Sequence, residues 1–222
     1  MIRPFHHILA GKLFPKYNQR LDQLNQNAAF QEWLKKNSIP VFPDRIALHA
    51  FMHAEYISGS SVDYLEFGVF QGETILHWAD INKNPNSRFF GFDSFEGLPE
   101  KWNHEYLAGH FDVQGVTPKT DDARVAWVKG WFNRTLPGFL QSFTPRSKLV
   151  IHSDSDLYSS TLYTLTKLDQ ILIPGTIIIF DEFFSALHEF RAYQDYCSAY
   201  GRTLRPIGVT DDGAGRMAFV FE

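Results

Sequence analysis

The sequence predicts an α/β fold, in which helices cover both faces of a mostly parallel sheet of seven strands. Short apolar runs alternate with amphipathic stretches from residue 61 onward, as expected for parallel strands that are joined by helices. The stretch 63–93 reads as strand, glycine turn, helix and strand, and it ends in Asp93. The turn signal Asp211-Asp212-Gly213 lies between two apolar runs and predicts a closing hairpin, whose last strand runs antiparallel.

The predicted elements follow from apolar periodicity, with alternating or continuous short runs as strands and helical spacing elsewhere. The predicted strands are residues 64–67, 88–92, 125–128, 149–152, 176–180, 202–209 and 216–221. The predicted helices are residues 18–36, 45–56, 75–79, 133–143, 158–172 and 183–200.

Residues 1–60 differ in composition from the rest, because they hold two helical stretches and no strand signal. We predict that they form an N-terminal helical cap over the site, followed by a single α/β domain of residues 61–222. The alternative is a packed helical extension that does not contact the ligand.

Composition excludes several classes of partner and location. The 222 residues are 44% apolar, enough for one sizeable core and a small appendage, and the net charge of −4 leaves no basic face for nucleic acid. No run of about 18 apolar residues is present, so no membrane span is predicted. The first 17 residues make a poor signal peptide. The single cysteine, Cys197, cannot form an internal disulfide, and we predict a buried thiol in a cytoplasmic protein.

The glycine turn after the first predicted strand indicates the kind of ligand. It reads Glu66-x-Gly68-x-x-x-Gly72 and lacks the third glycine of a dinucleotide fingerprint. An acid two residues before the first glycine suits a ligand with a cationic amino group, and Asp93 is placed to bind ribose hydroxyls. The pattern resembles motif I of class I S-adenosylmethionine (SAM) methyltransferases. An ordinary strand-turn-helix of another α/β protein is the alternative.

Acidic residues follow two further predicted strands. Asp154 and Asp156 come after the fourth strand, and Asp181 and Glu182 come directly after the fifth. Neighbouring parallel strands lie about 4.8 Å apart, so acids at their carboxyl ends can converge on one ion. Three carboxylates, from Asp154, Asp181 and Glu182, suit a hard divalent cation, with Mg²⁺ before Mn²⁺ or Ca²⁺.

Helix capping is the alternative explanation for these acids. In that reading Asp156 caps the helix that begins near Tyr158, and Asp181 caps the helix that begins at Phe183. Capping accounts for one acid in each loop, whereas the sequence has two in each.

Five blocks together resemble the macrocin O-methyltransferase (TylF/MycF) family, over about residues 61–220. They are Leu65-Glu66-Phe67-Gly68-Val69-Phe70-Gln71-Gly72, Gly91-Phe92-Asp93-Ser94-Phe95-Glu96-Gly97-Leu98-Pro99, Gly130-Trp131-Phe132-Asn133-Arg134-Thr135-Leu136-Pro137, Asp154-Ser155-Asp156-Leu157-Tyr158-Ser159-Ser160-Thr161 and Phe180-Asp181-Glu182. The resemblance implies a Rossmann-like class I methyltransferase fold, SAM as cofactor, and Mg²⁺-dependent transfer to a sugar hydroxyl.

The resemblance also implies roles for individual residues. Asp154 matches the family's first metal ligand, and Asp181 and Glu182 stand at an acidic pair that is usually Asp-Asp. Asp156 matches an acid suggested as general base. The implied cofactor contacts are Glu66, Gly68, Gly72, Asp93, Ser94, Phe95, Gly130 and Trp131.

These expectations add up to a SAM-dependent O-methyltransferase that acts on a hydroxyl of a small molecule, such as a sugar or a glycosylated natural product. His152 is a rival to Asp156 as general base, although a hydrogen-bonded core histidine is the commoner arrangement. His104 and His110, in the long segment 94–122, either contact the acceptor or are solvated. A binding protein that keeps the fold without turnover is the second hypothesis, and a NAD-dependent oxidoreductase is disfavoured by the missing glycine. A homo-oligomer stays open.

Overall fold

The computed structural model describes residues 15–213 and 215–222. The helices are α1 (Pro15–Lys36), α2 (Arg45–Met52, continued by a π-helical turn over His53–Ile57), α3 (Glu73–Ile81), α4 (Phe132–Ser142), α5 (Tyr158–Leu168, continued by a 3₁₀ turn over Asp169–Ile171) and α6 (Glu189–Tyr200). The strands are β1 (Val41–Phe42), β2 (Val62–Phe67), β3 (Arg88–Asp93), β4 (Val125–Lys129), β5 (Lys148–Ser153), β6 (Ile177–Phe180), β7 (Leu204–Thr210) and β8 (Met217–Phe221). No described helix meets the length and apolarity that a membrane crossing requires.

One sheet of eight strands runs through the described chain in the order β1-β7-β8-β6-β5-β2-β3-β4. Strands β2 to β6 are mutually parallel, and β8 lies antiparallel between β6 and β7. The closing hairpin is therefore confirmed. The prediction of seven strands misses β1, a two-residue strand that pairs in parallel with β7. The run Val41–Phe42 lies between Pro40 and Pro43 and is too short to register as a periodic strand.

The sheet is packed on both faces. Alternate residues of β2 point to opposite sides, so that Leu65 belongs to one buried cluster and Tyr64 to the other. On the first face Phe30 of α1 packs against Phe190 of α6, with ring centroids 4.9 Å apart. On the second face Leu48 of α2 packs in the same cluster as the strands. Helices α1 and α2 thus share the cores of the sheet.

Helix α6 begins at Glu189, whereas the sequence predicts a start at Phe183. Residues 181–188 form turns instead. Phe183 is fully buried against Phe30 and Phe190, so the apolar spacing that predicts a helix here comes from turn residues packed into the core. The difference matters for function, because these turns hold the acidic pair.

Candidate active site

A cavity of about 910 Å³ opens at the carboxyl edge of the sheet, where the strands β2, β3 and β5 end. Ligands in open α/β sheets bind at this edge. Its walls include Gly68 after β2, Asp93 and Ser94 at the end of β3, and Asp154 and Asp156 after β5. The topology therefore brings the predicted cofactor side and the predicted acids into one cavity.

Asp93 holds two loops around the cavity. Its Oδ2 accepts hydrogen bonds from the backbone N–H groups of Val69, at 2.8 Å, and Phe70, at 2.9 Å. Its Oδ1 accepts one from the N–H of Phe95 at 2.7 Å. A carboxylate offers about four acceptor positions, so three are used by the protein and one is left for a ligand hydroxyl. Asp93 shapes the site as well as facing it.

The two glycines of the turn have different reasons to be glycine. Gly68 has φ 93°, and a Cβ there would lie 1.6 Å from the carbonyl oxygen of Asp154. The loop after β5 thus crosses directly over Gly68, which lines the cavity. Gly72 precedes α3 with φ 81°, and its Cβ position lies 3.0 Å from Pro118. Gly72 is absent from the cavity walls.

The other predicted cofactor residues divide in the same way. Ser94 and Trp131 line the cavity. Phe95 is 1% exposed in the second core cluster, and Gly130 donates its N–H to the carbonyl of Asp93; neither lines the cavity. Glu66 also lies beneath the wall rather than in it, and burial raises its pKa to about 8.

The acids converge as the strand order predicts, but His152 takes the place expected for Glu182 in the closest cluster. Asp154, Asp156 and Glu182 line the cavity, and Asp181 lies buried just behind it. Among the described residues, His152, Asp154 and Asp181 bring one ligand atom each within 4.8 Å of the others. Glu182, predicted as the third ligand, is not part of that cluster.

These acids have strongly perturbed pKa values. Burial, followed by the charges of neighbouring carboxylates, raises the pKa of Asp154 well above its usual range, that of Asp156 to about 7 and that of Glu182 to about 8. Burial acts in the same direction on Asp181, but hydrogen bonds and charge from His152 and Arg216 lower its pKa to about 2. Asp181 is therefore the one member of the group that stays ionised without further positive charge.

Helix capping does not explain the acids. The residue before α5 is Leu157 and the residue before α6 is His188, and neither helix has a side-chain cap. The capping interpretation of Asp156 and Asp181 is thus wrong. Asp156 instead adopts φ 59°, in the left-handed region, which a residue with a side chain enters at a cost.

The donor set fits a hard divalent cation. Carboxylate oxygens are the ligands such ions prefer, and a cation would offset the mutual repulsion that raises the pKa values of Asp154, Asp156 and Glu182. Asp181 already has a positively charged partner in the protein, because its Oδ1 accepts a hydrogen bond from Arg216 Nε at 2.9 Å.

Sequence reasoning missed three residues around these acids: Tyr64, Glu189 and Arg216. The Glu189 carboxylate is fully buried and accepts the backbone N–H of Glu182 at 2.7 Å. Arg216 follows from topology, because the antiparallel register places Phe180 opposite Met217 and so sets the next residues side by side. Tyr64 carries no signal in the sequence beyond its place in a strand.

The segment after β3 supplies an aromatic wall. The rings of Trp102 and Tyr106 stack with centroids 5.0 Å apart, and Phe111 continues the row at 5.6 Å from Tyr106. All three line the cavity, whereas His104 and His110 are exposed and do not.

The described residues 20–60 do not line the cavity either. Part of the predicted cap, residues 1–14, lies outside the described residues.

Comparison with known proteins assigns the family. The model of the macrocin-O-methyltransferase (TylF) family matches residues 47–212. This chain belongs to the macrocin-O-methyltransferase (TylF) family. The match covers Gly68, Asp93, Asp154, Asp156 and Glu182, which line the cavity.

A curated relative of this macrocin-O-methyltransferase family chain is the 8-demethyl-8-(2,3-dimethoxy-alpha-L-rhamnosyl)-tetracenomycin-C 4'-O-methyltransferase of Streptomyces olivaceus. It is 30% identical over an alignment of 165 residues, and the alignment covers 63% of this chain. The chain spans 59% of the length of that relative.

Solved structures agree on the fold. The O-methyltransferase NovP superposes with a TM-score of 0.61 at 20% identity, over 79% of this chain and 78% of NovP. The calicheamicin methyltransferase CalS11 superposes with a TM-score of 0.56 at 20% identity, over 98% of this chain and 86% of CalS11. The family member described here has the Rossmann-like class I methyltransferase fold.

Proposed function

We propose that this chain is a SAM-dependent O-methyltransferase that methylates a hydroxyl group on a small glycosylated molecule, with a divalent cation in its site. One observation carries the proposal: the predicted cofactor residues Gly68, Asp93, Ser94 and Trp131 face the same cavity as the acid Asp156. A donor and an acceptor held there would be close enough to react.

SAM, when bound, supplies an activated methyl group. The Asp93 carboxylate accepts three backbone hydrogen bonds, so it has one acceptor position left for a ribose hydroxyl. Trp131 is 36% exposed and offers an aromatic face to the same cavity. These residues would bind and orient the cofactor.

Asp156 would act as the general base. Its pKa of about 7 places the ionised form and the protonated form in balance near neutral pH, which suits a group that takes a proton and returns it to solvent. It lines the cavity, whereas the rival base His152 is fully buried and does not.

Asp154 and Asp181, with Glu182 beside them, would hold the cation. A divalent cation, when bound there, stabilises the negative charge that develops on the acceptor oxygen. Asp154 and Glu182 line the cavity, so an ion held by them would have contact with its interior.

The acceptor class rests on the relative and on the aromatic wall. The Streptomyces olivaceus relative is named for methylation at the 4' position of a rhamnosyl group. The rings of Trp102, Tyr106 and Phe111 can pack against the apolar face of a sugar or a polyketide ring. A homo-oligomer and a cytoplasmic location stay predictions.

The test has two steps that fail independently. S-adenosylhomocysteine should raise the melting temperature, because a ligand that binds only the folded state stabilises it. SAM turnover should then be measured with the 2,3-dimethoxy-rhamnosyl tetracenomycin acceptor for which the relative is named, with and without EDTA and added Mg²⁺. EDTA should lower turnover and leave S-adenosylhomocysteine binding intact.

Matched variants sharpen the second step. Asp154→Asn should lower turnover by at least about tenfold at a nearly unchanged melting temperature. Asp80→Asn, at an exposed ion pair with Lys83, is the control and should keep turnover. Binding of S-adenosylhomocysteine without turnover on any rhamnoside would favour the binding-protein hypothesis, and no binding would contradict both.

A further inference from the structure

A chain of buried polar groups runs beneath the cavity floor, across the neighbouring strands β2 and β5 to the end of β6. The Tyr64 hydroxyl lies 2.6 Å from Oε2 of Glu66 and 2.8 Å from Nδ1 of His152. The other ring nitrogen of His152, Nε2, lies 3.2 Å from Oδ1 of Asp181. All four residues are buried. The chain connects the acid of the glycine turn to an acid of the candidate cation site.

The Tyr64 hydroxyl links Glu66 to His152 in this chain of polar groups. It has one hydrogen and two polar partners, so it donates to one of them and accepts from the other. With the hydrogen on the Glu66 side, its oxygen accepts Nδ1–H from His152, and Nε2 can then donate to Asp181 only from a ring that carries both hydrogens. With the hydrogen on the His152 side, the oxygen accepts from a protonated Glu66, and a neutral ring keeps Nε2–H for Asp181. In both directions the hydroxyl fixes the plane of the imidazole ring, because both residues are fully buried and the ring nitrogen is paired with this hydroxyl.

His152 in turn orients Asp181. Its Nε2 and the Nε of Arg216 both approach Oδ1 of that carboxylate, at 3.2 and 2.9 Å. Two contacts on one oxygen fix the rotation of the carboxyl group and direct Oδ2 away from them. Asp181 is therefore held from behind by side chains that do not line the cavity.

We infer that Tyr64 is a positioning residue, which acts through His152 to hold Asp181 in the orientation that methyl transfer requires. The inference rests on the proposed function and adds a residue to it. Tyr64 touches neither the cavity nor the acids that line it, so its effect on the reaction passes through the imidazole ring.

The variant Tyr64→Phe removes one oxygen and keeps the ring, which packs against Trp78 and Phe89 at centroid distances of 5.3 and 5.9 Å. We expect kcat to fall by about 10- to 100-fold, as for other partners that orient an active-site ligand, while KM for SAM stays within about twofold. The matched control is Tyr196→Phe, which removes a similarly buried hydroxyl, 2.7 Å from Asp169, away from the cavity. It should keep kcat.

A spectroscopic measurement reads the same contact without turnover. In ¹H–¹⁵N spectra of histidine-labelled protein, we expect His152 to show one well-defined set of ring nitrogen signals, and we expect these signals to shift in Tyr64→Phe and not in Tyr196→Phe. Unchanged His152 signals, or a kcat in Tyr64→Phe equal to that of the control, would overturn the inference.

The two proposals fail in distinguishable ways. Wild-type protein that binds no S-adenosylhomocysteine contradicts the proposed function, whatever the histidine spectra show. Wild-type turnover that survives in Tyr64→Phe leaves the proposed function intact and removes Tyr64 from it. Rescue gives a third reading: His152→Gln keeps a side-chain N–H for Asp181 and should retain more activity than His152→Leu.

Discussion

Asp156 combines two costs in one residue. Its backbone has φ 59°, and its carboxyl group is buried beside other acids, which raise its pKa to about 7. Left-handed backbone costs most residues with a side chain about 1–2 kcal/mol; aspartate enters it more readily than they do, and glycine adopts it freely. We expect Asp156 to occupy this position for the chemistry of its carboxyl group rather than for stability.

Substitution separates the two costs. We expect Asp156→Gly to unfold with a free energy about 1 kcal/mol higher than Asp156→Ala, because only glycine relieves the backbone. Both variants lack the carboxylate and should lose turnover by about 100-fold or more. Urea denaturation and a SAM turnover assay measure the two effects. Turnover retained in Asp156→Gly would remove Asp156 from the role of base.

At the scale of secondary-structure elements, the loop after β5 crosses over the end of β2, and this crossing depends on Gly68. A Cβ at this position would lie 1.6 Å from the backbone oxygen of Asp154, which no side-chain movement can relieve. Gly175 has a similar φ of 88°, with nothing within 4 Å of its Cβ position. Substitutions at Gly68 and Gly175 therefore separate the cost of backbone strain from the cost of a steric clash.

We expect Gly175→Ala to cost only the strain of its backbone, about 1–2 kcal/mol in the free energy of unfolding. Gly68→Ala should cost more and should also displace Asp154, so that S-adenosylhomocysteine binding and turnover both fall. Thermal unfolding with and without the ligand measures this. Equal destabilisation by the two substitutions would contradict the crossing.

The sequence predicts the convergence of the acids, because parallel strands end at one edge, and it predicts that Asp93 lies there too. It does not predict which side chain faces the cavity. His152 and Asp154 are two residues apart and would share a face of a continued strand, but β5 ends at Ser153. The chain then turns, so that Asp154 lines the cavity and His152 stays beneath it.

Long-range pairings explain the remaining misses. Arg216 meets Asp181 through the register of β8 against β6, which the length of the closing hairpin alone does not fix. The apolar spacing from Phe183 onward predicts a helix, but Phe183 lies in a turn, and its ring packs against Phe30 of α1 in the core.

The whole molecule should be less stable at mildly alkaline pH. Burial raises the pKa values of Asp156, Glu182 and Glu66 to about 7, 8 and 8, whereas unfolded carboxyl groups titrate near 4. Between these values the folded protein binds more protons than the unfolded chain, so stability falls as pH rises. Asp181, with its pKa lowered to about 2, contributes the opposite slope only in strong acid.

We therefore expect the melting temperature to fall from about pH 4.5 to about pH 8 and to level off above that, by roughly 2–4 °C for each kcal/mol of stability lost. Differential scanning calorimetry of the wild type and of Glu182→Gln tests this, since the variant lacks one of the titrating groups and should show a shallower slope. A melting temperature that rises with pH over this range would show that these carboxyl groups do not have raised pKa values in the folded protein.

Asp93 also links the motions of the glycine turn and of the loop after β3, because it accepts hydrogen bonds from both. One carboxylate accepts the N–H groups of Val69 and Phe70 in the glycine turn and of Phe95 in the next loop. Opening of either loop removes hydrogen bonds that hold the carboxylate in place for the other loop. Their amide hydrogens should therefore exchange with deuterium through one shared opening. A ligand that occupies the remaining acceptor position of Asp93 would slow the exchange of all three at once.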